Sequence, residues 1–369
     1  MNRGVERILT LTFGEGGTEG NYLGNGWSGD EPNQRWMVGQ NSEIWLDHAG
    51  ADHDLVLELD FGVIVKPPEL VVQRLLVGVR GTGIAQVMAG RGGTLGFHLP
   101  AGLVAAPGPI RLLFVHPDFR RPMDLFGDTD DRPLSFLVSG LRLSRVLPRT
   151  IEAGATPLGT EALATKFESL GDNCEFGLVQ RAMGAEPLGL LRFSWIEITN
   201  LLRGLRTGFA GLGDPGTVEI VVNGKDQEYV VKENVYGMSY HTFQYEHQLS
   251  IETARIQQDT RLRFLKRKLL EDAANGEKIF VIKRVEPLRP EEVLPIYAAL
   301  NELGPNWLLW VLPADATHPS GMVEVLLPGL LRGYVDRFAP YSNAPDISLP
   351  AWTNLCEAAW KAVGRTMGG

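Results

Sequence analysis

Phe167-Glu168-Ser169-Leu170-Gly171-Asp172-Asn173-Cys174-Glu175-Phe176-Gly177 reads as a short strand, a tight turn and the first turn of a helix. The strand is predicted over residues 167–170 and the helix over residues 175–183. Gly171 lets the chain turn sharply after the strand, and Asp172 or Asn173 can cap the helix that follows. Cys174 then sits at or near a helix N-terminus. Unpaired N–H groups and the helix dipole favour a thiolate there and can hold an oxyanion. A cysteine in such a corner also serves as a small buried hydrophobe, and the motif taken alone does not choose between the two roles.

Reading toward the C-terminus, the pattern stays α/β. Residues 190–195 read as a buried strand and 196–205 as a helix. Residues 218–222 and 228–231 flank Asn223-Gly224, a hairpin turn signal. The longest helical period covers residues 252–274. There Ile256, Leu262, Leu265, Leu269 and Leu270 fall mostly on one face, and Asn275-Gly276 closes the helix. A strand at 278–283, a helix at 290–303 and a strand at 307–312 follow. This alternation implies βαβ units and a mostly parallel sheet. Residues 332–341 can line a site or tie the C-terminal helix, 349–363, to that sheet; Cys356 lies in the helix and reads as core. The basic group Arg261, Arg263, Lys266, Arg267 and Lys268 can meet an anion, or form a solvated face paired with Asp259, Glu271 and Asp272.

Upstream, residues 149–165 are rich in Ala, Gly, Thr and Pro and read as a linker. Residues 1–148 read as all-β. In Leu55-Val56-Leu57-Glu58-Leu59-Asp60-Phe61, Leu55, Leu57, Leu59 and Phe61 share one face, with Glu58 and Asp60 on the other. Further strands are predicted over 73–79, 93–99 and 110–115, separated by Gly and Pro clusters. The expected architecture is therefore a jelly-roll-like β-sandwich over 1–148, a linker over 149–165, and an α/β domain with a mostly parallel sheet over 166–369.

Composition sets outer limits. The chain has 369 residues, 44% of them hydrophobic, and a net charge of −9. That length suggests two cores. An acidic chain argues against general nucleic-acid binding, which needs a basic surface. No apolar run approaches the roughly 20 residues of a membrane-spanning helix. The N-terminus lacks the pattern of a secretory signal, so a cytoplasmic location and free thiols at Cys174 and Cys356 are expected. Without a CxxC or a Cys/His cluster no metal is expected, and without a P-loop or a dinucleotide fingerprint no cofactor is expected. The sequence does not set the oligomeric state.

Two groups of residues carry resemblances. Gly26-Trp27-Ser28-Gly29-Asp30-Glu31 precedes Trp36 and Trp45. Tryptophan faces stack on sugar rings, although buried tryptophans also fill sandwich cores. The arrangement of Trp27, Glu31, Trp36 and Gly39 resembles β-sandwich accessory domains found beside bacterial glycosyltransferases and glycan-assembly proteins. That resemblance implies glycan contacts at Trp27, Glu31 and Trp36.

The segment 169–174, Arg192-Phe193-Ser194-Trp195-Ile196, His241 and Ile279-Phe280-Val281-Ile282-Lys283-Arg284 resemble a bacterial family of unknown function described as papain-like cysteine peptidases. The resemblance spans roughly residues 166–284. It implies Cys174 as nucleophile, Asn173 beside it, His241 as base and Trp195 at the substrate. Ser194 stands where the family's Phe-Asp-Trp motif has its acid, and Thr242 where its His-Asp-Phe motif has one. His318, three residues after Asp315 in a loop behind a late strand, is a second candidate base, and His247 a third. The Asp315/His318 block resembles the last block of SGNH-type esterases, with 171–174 as the first.

Two functions follow as expectations. One is a cysteine-dependent hydrolase or acyltransferase acting on an acyl or amide bond of a glycan or acylated small molecule, with Cys174, Asn173, His241, His318 and Asp315 as its catalytic set. The alternative is a non-catalytic glycan-binding or assembly protein with a degenerate peptidase-like domain. The missing acids at positions 194 and 242 favour the alternative; the strand–turn–Cys–helix design and the Asp315/His318 pair favour the enzyme, which is the main expectation.

Overall fold

In the computed structural model, which describes residues 4–47, 52–148 and 156–364, the alternating run at 55–61 becomes a central strand of a β-sandwich. The part of the expected linker at 149–155 lies outside the described residues. The chain divides into two units. One is Val5–Leu147 with Arg289–Ala298; the other is Met1–Gly4, Pro148–Leu288 and Ala299–Gly369.

The first unit contains β1 (Val5–Thr12), β2 (Arg35–Val38), β3 (Asn41–Leu46), β4 (Leu55–Val63), β5 (Gln73–Val79), β6 (Thr82–Ala89), β7 (Gly93–Leu99), β8 (Ile110–Val115) and β9 (Leu134–Val146). Two short helices, α1 (Ala101–Val104) and α2 (Pro122–Phe126), interrupt them. One sheet runs β1-β9-β4-β7, with β2 also on β9; the other runs β3-β8-β5-β6. All pairings are antiparallel. Leu57, Leu59, Phe97 and Phe136 of one sheet and Ile44, Val77, Leu112 and Phe114 of the other form a single core. Each such side chain contributes about 1.5–3 kcal/mol on burial. On the opposite face of β4, Glu58 is fully buried and is ion-paired with Arg7 at 2.9 Å and Arg142 at 3.6 Å. Also buried is His116, whose ring lies between Ser42 Oγ at 3.0 Å and Ser135 Oγ at 2.8 Å.

The second unit opens with α3 (Thr160–Ala164), β10 (Phe167–Ser169), α4 (Glu175–Ala182) and α5 (Ile198–Thr207). The hairpin predicted around Asn223-Gly224 forms from β11 (Val218–Val222) and β12 (Glu228–Glu233), and β13 (Ser239–Tyr245) adds a third antiparallel strand. After α6 (Ile251–Asn275) come β14 (Ile279–Ile282), α7 (Pro290–Leu303, whose residues 290–298 group with the first unit), β15 (Trp307–Pro313), β16 (Val323–Leu327), β17 (Leu330–Val335) and α8 (Leu349–Val363). The main sheet has the order β10-β14-β15-β17-β16. Its pairings are parallel except for β16 against β17.

Helix α6 is bounded as its caps dictate: Ser250 Oγ accepts from Thr253 N, and Gly276 takes the left-handed φ of +66° that ends the helix. Leu262, Leu265 and Leu269 face inward, but Ile256 is exposed, contrary to the sequence expectation. Six residues, about 600° of helical rotation, separate it from Leu262, which turns it off the apolar stripe.

Residues 190–195 do not form the predicted strand. Leu190 and Leu191 are buried in a loop. The Arg192 guanidinium donates to the carbonyls of Gly177, Ala185 and Pro187, doing for irregular backbone what a ladder would otherwise do. The polar-aromatic stretch 332–341 begins inside β17, an interior strand of the main sheet.

Candidate functional site

The corner that holds Cys174 is built on strained backbone. Gly171 and Asp172 both have positive φ, +87° and +115°, and the second is costly for a residue with a Cβ. The strain is held by partners. Lys283, just past the end of β14, places Nζ 3.0 Å from Asp172 Oδ2, 2.8 Å from Asn173 Oδ1 and 2.7 Å from Glu175 Oε2. Tyr341 donates its hydroxyl to Asp172 Oδ1, and Trp352 Nε1 donates to Glu175 Oε1 at 2.9 Å. Asn173 Oδ1 also accepts from Glu175 N at 3.0 Å, an Asx turn just before α4, so neither Asp172 nor Asn173 is the N-cap. Cys174 is the N-cap residue and is half-buried.

Burial pushes Cys174 above the ordinary thiol range, and the nearby charges of Lys283 and Arg181 only partly oppose this. Its Sγ donates to Phe193 O at 3.9 Å. Among the described residues no histidine hydrogen-bonds to the sulfur.

His241, on β13, has Nδ1 2.9 Å from Glu228 Oε2. Glu228 on β12 thus supplies a carboxylate that the motif positions lack. Ser194 Oγ donates to Leu190 O, and Thr242 Oγ1 to Tyr229 O, so both hydroxyls serve the backbone. The only sequence signal for Glu228 is the strand itself: a register shift between Glu228 and Val230 brings its side chain to His241.

The other candidates lie apart. His247 stacks on Tyr245 at 5.7 Å. His318 Nδ1 is 2.9 Å from Asp315 Oδ1, so the Asp315–His318 pair exists, and the ring stacks on Tyr334 at 4.6 Å. Bonds from His318, Thr317 Oγ1 and backbone N–H groups hold the Asp315 carboxyl far below the usual carboxylate range. The pair closes a turn after β15, with β14 between that strand and β10. Neither His318 nor His241 makes a hydrogen bond to Cys174. Trp195 bridges to Ser239 and is exposed.

A cavity of about 270 Å³ lies beside this corner, lined among others by Arg181, Glu186, Arg192, Phe193, Tyr240, His241, Phe243 and Arg261. Cys174 is not among its lining residues.

In the sandwich, Trp27 and Trp36 are half-buried. The Trp27 indole donates to Glu43 O at 2.9 Å and its ring lies 5.6 Å from that of Phe13. Trp36 donates to Glu31 Oε2 at 3.2 Å and packs against Ile64, Leu70 and Leu125. Glu31 is ion-paired with Arg132 at 2.8 Å. These three residues pin the terminal loop to the sandwich.

The open tryptophan is Trp45, 39% exposed. On β3 it alternates with the buried Ile44 and Leu46, a signal present in the sequence. Arg111, its cross-strand partner on β8, sets its guanidinium 5.7 Å from the ring centroid and pairs with Glu43. Among the described residues no group of three His, Cys, Asp or Glu side chains can hold a metal ion, and no helix is long and apolar enough to cross a membrane.

No family model matches the sequence, and no curated protein is similar to it. Among solved structures, the chain is similar to the C-terminal CBM6 of LamC, a laminarinase from Zobellia galactanivorans. The identity is 9%, covering 37% of this chain and 97% of that one, with a TM-score of 0.23. A carbohydrate-binding module CBM36 solved with calcium and xylotriose gives 9% identity over 37% and 99% of the two chains, with a TM-score of 0.23. The CBM22-1–GH10 modules of Clostridium thermocellum xylanase 10B give 11% identity over 76% and 46%, with a TM-score of 0.25. Scores this low define no fold family for the chain.

Proposed function

We propose that this chain is a non-catalytic glycan-binding protein whose α/β unit keeps the frame of a thiol site without a working dyad. The observation that carries the reading is Trp45, an indole open to solvent on a strand face beside the Arg111–Glu43 pair. An aromatic face covers the C–H face of a sugar ring, while the guanidinium that lies over the Trp45 ring and its carboxylate partner offer hydrogen bonds to hydroxyls. The upward push of burial on the Cys174 thiol and its carbonyl acceptor support the non-catalytic half. The test is an oligosaccharide array probed with the full chain. Binding of at least one glycan is expected, and Trp45→Ala should weaken it tenfold or more. No binding across the array, or binding that Trp45→Ala leaves unchanged, overturns the reading.

One observation favours the second reading, a cysteine hydrolase or acyltransferase. His241 is oriented by Glu228, as a general base would be. On that reading Cys174→Ser keeps the fold and loses turnover of activated acyl esters. Equal rates in the two proteins, or none in either, exclude it.

A further inference from the structure

We propose that the cavity of the α/β unit binds the carboxylate of an acidic sugar, with Arg261 and His241 as its polar contacts and Phe243 as its stacking face. The choice of a sugar rests on the glycan-binding reading; the anion site rests on the cavity itself.

The charge in the cavity is unbalanced. Three arginines line it, Arg181, Arg192 and Arg261, with Glu186 as the lining carboxylate. Arg181 and Arg192 both pair with that one carboxylate. Arg192 is buried, and its Nε has no hydrogen-bond partner. Arg261 is exposed and makes no ion pair among the described residues. A bound carboxylate would offset part of this excess and match the planar guanidinium edge.

The rim is also pre-set. Phe243 is 60% exposed, and its φ of +57° lies in the left-handed region that a residue with a Cβ avoids. Backbone strain that the surroundings enforce clusters at ligand sites. Here the enforcing group is Glu228, almost wholly buried, which accepts from Phe243 N at 2.8 Å through Oε1 and holds His241 Nδ1 through Oε2. One carboxylate therefore fixes both the imidazole and the phenyl ring at the cavity. An apolar ring beside a cationic wall suits a ligand whose C–H face adjoins its anionic group, which describes a uronate better than an inorganic anion.

The experiment is ligand-observed NMR and calorimetry on the full chain, with glucuronate, glucose and inorganic phosphate as probes. Glucuronate should bind at least tenfold more tightly than glucose or phosphate. Arg261→Ala and Phe243→Ala should each weaken it tenfold or more, with thermal melts as the folding control. Both side chains are exposed, so the fold should survive. Failure of glucuronate to bind, equal affinity for glucose or phosphate, or indifference to Arg261→Ala overturns the inference. If Trp45→Ala still abolishes array binding in that case, the glycan reading stands without it. If Arg261-dependent uronate binding appears with no Trp45 effect, the cavity stands and the sandwich site falls.

Discussion

At Cys174 two opposing effects meet in one atom. The N-terminus of α4 favours the thiolate, while partial burial and the Phe193 carbonyl favour the protonated sulfur. Burial wins because Lys283, the cation that heads the opposing charges, is already paired with Asp172 and Glu175. Iodoacetamide labelling followed by peptide mapping should therefore give a titration midpoint for Cys174 above the ordinary thiol value of about 8.5. A midpoint below that value would mean that the dipole prevails and would revive the nucleophile.

The turn between β10 and α4 is tied to the end of β14 by the Lys283 ammonium group, beyond the β10–β14 ladder itself. Asp172, Glu175 and Lys283 are all buried. Removing the ammonium leaves Glu175 without its counter-charge and Asp172 with Arg284 alone at 4.0 Å, and breaking a buried pair costs about 3–5 kcal/mol. Lys283→Met fills similar volume but leaves two carboxylates facing each other. Urea unfolding should show a loss of that order, with Asp172 released from its positive φ. A change within about 0.5 kcal/mol, the range of an ordinary surface substitution, would show that the cluster does not hold the corner.

Across the whole molecule, the two units carry buried groups that answer pH in opposite senses. In the α/β unit, burial pushes Glu168 up to about 7. The folded form then binds the proton more tightly than the unfolded chain, so stability falls as pH rises from about 4.5 to about 7 and is level above that. In the sandwich, burial pushes His116 down to about 4. There the unfolded chain binds the proton more tightly, so stability falls as pH drops from about 6.5 toward 4. Glu168→Gln should recover most of the loss on the alkaline side, up to about 3 kcal/mol by the spacing of the two pKa values. Unfolding of wild type and variant at pH 5, 6, 7 and 8 gives the comparison. Parallel stability curves for the two proteins would show that Glu168 is ionised in the folded state.

The sequence by itself determined the elements whose pattern is local. The alternation of Leu55, Leu57, Leu59 and Phe61 marked β4, Asn223-Gly224 marked the β11–β12 turn, and the 3.6-residue period marked α6. Cys174 could be placed after a strand and before a helix because Gly171 and the capping residues are read within a few positions. Other elements left no such trace: β9, the strand that joins β1, β2 and β4, and β16 and β17 carry polar residues on faces that only neighbouring strands make sense of. The site depended on tertiary structure most of all. Glu228 meets His241 through a shifted register, Lys283 reaches Asp172 from a strand more than a hundred residues away, and the Cys174 thiol is set by what covers it. Periodicity is fixed by short-range backbone geometry, whereas register, burial and the charge state of a buried group are fixed by contacts between segments far apart in the chain.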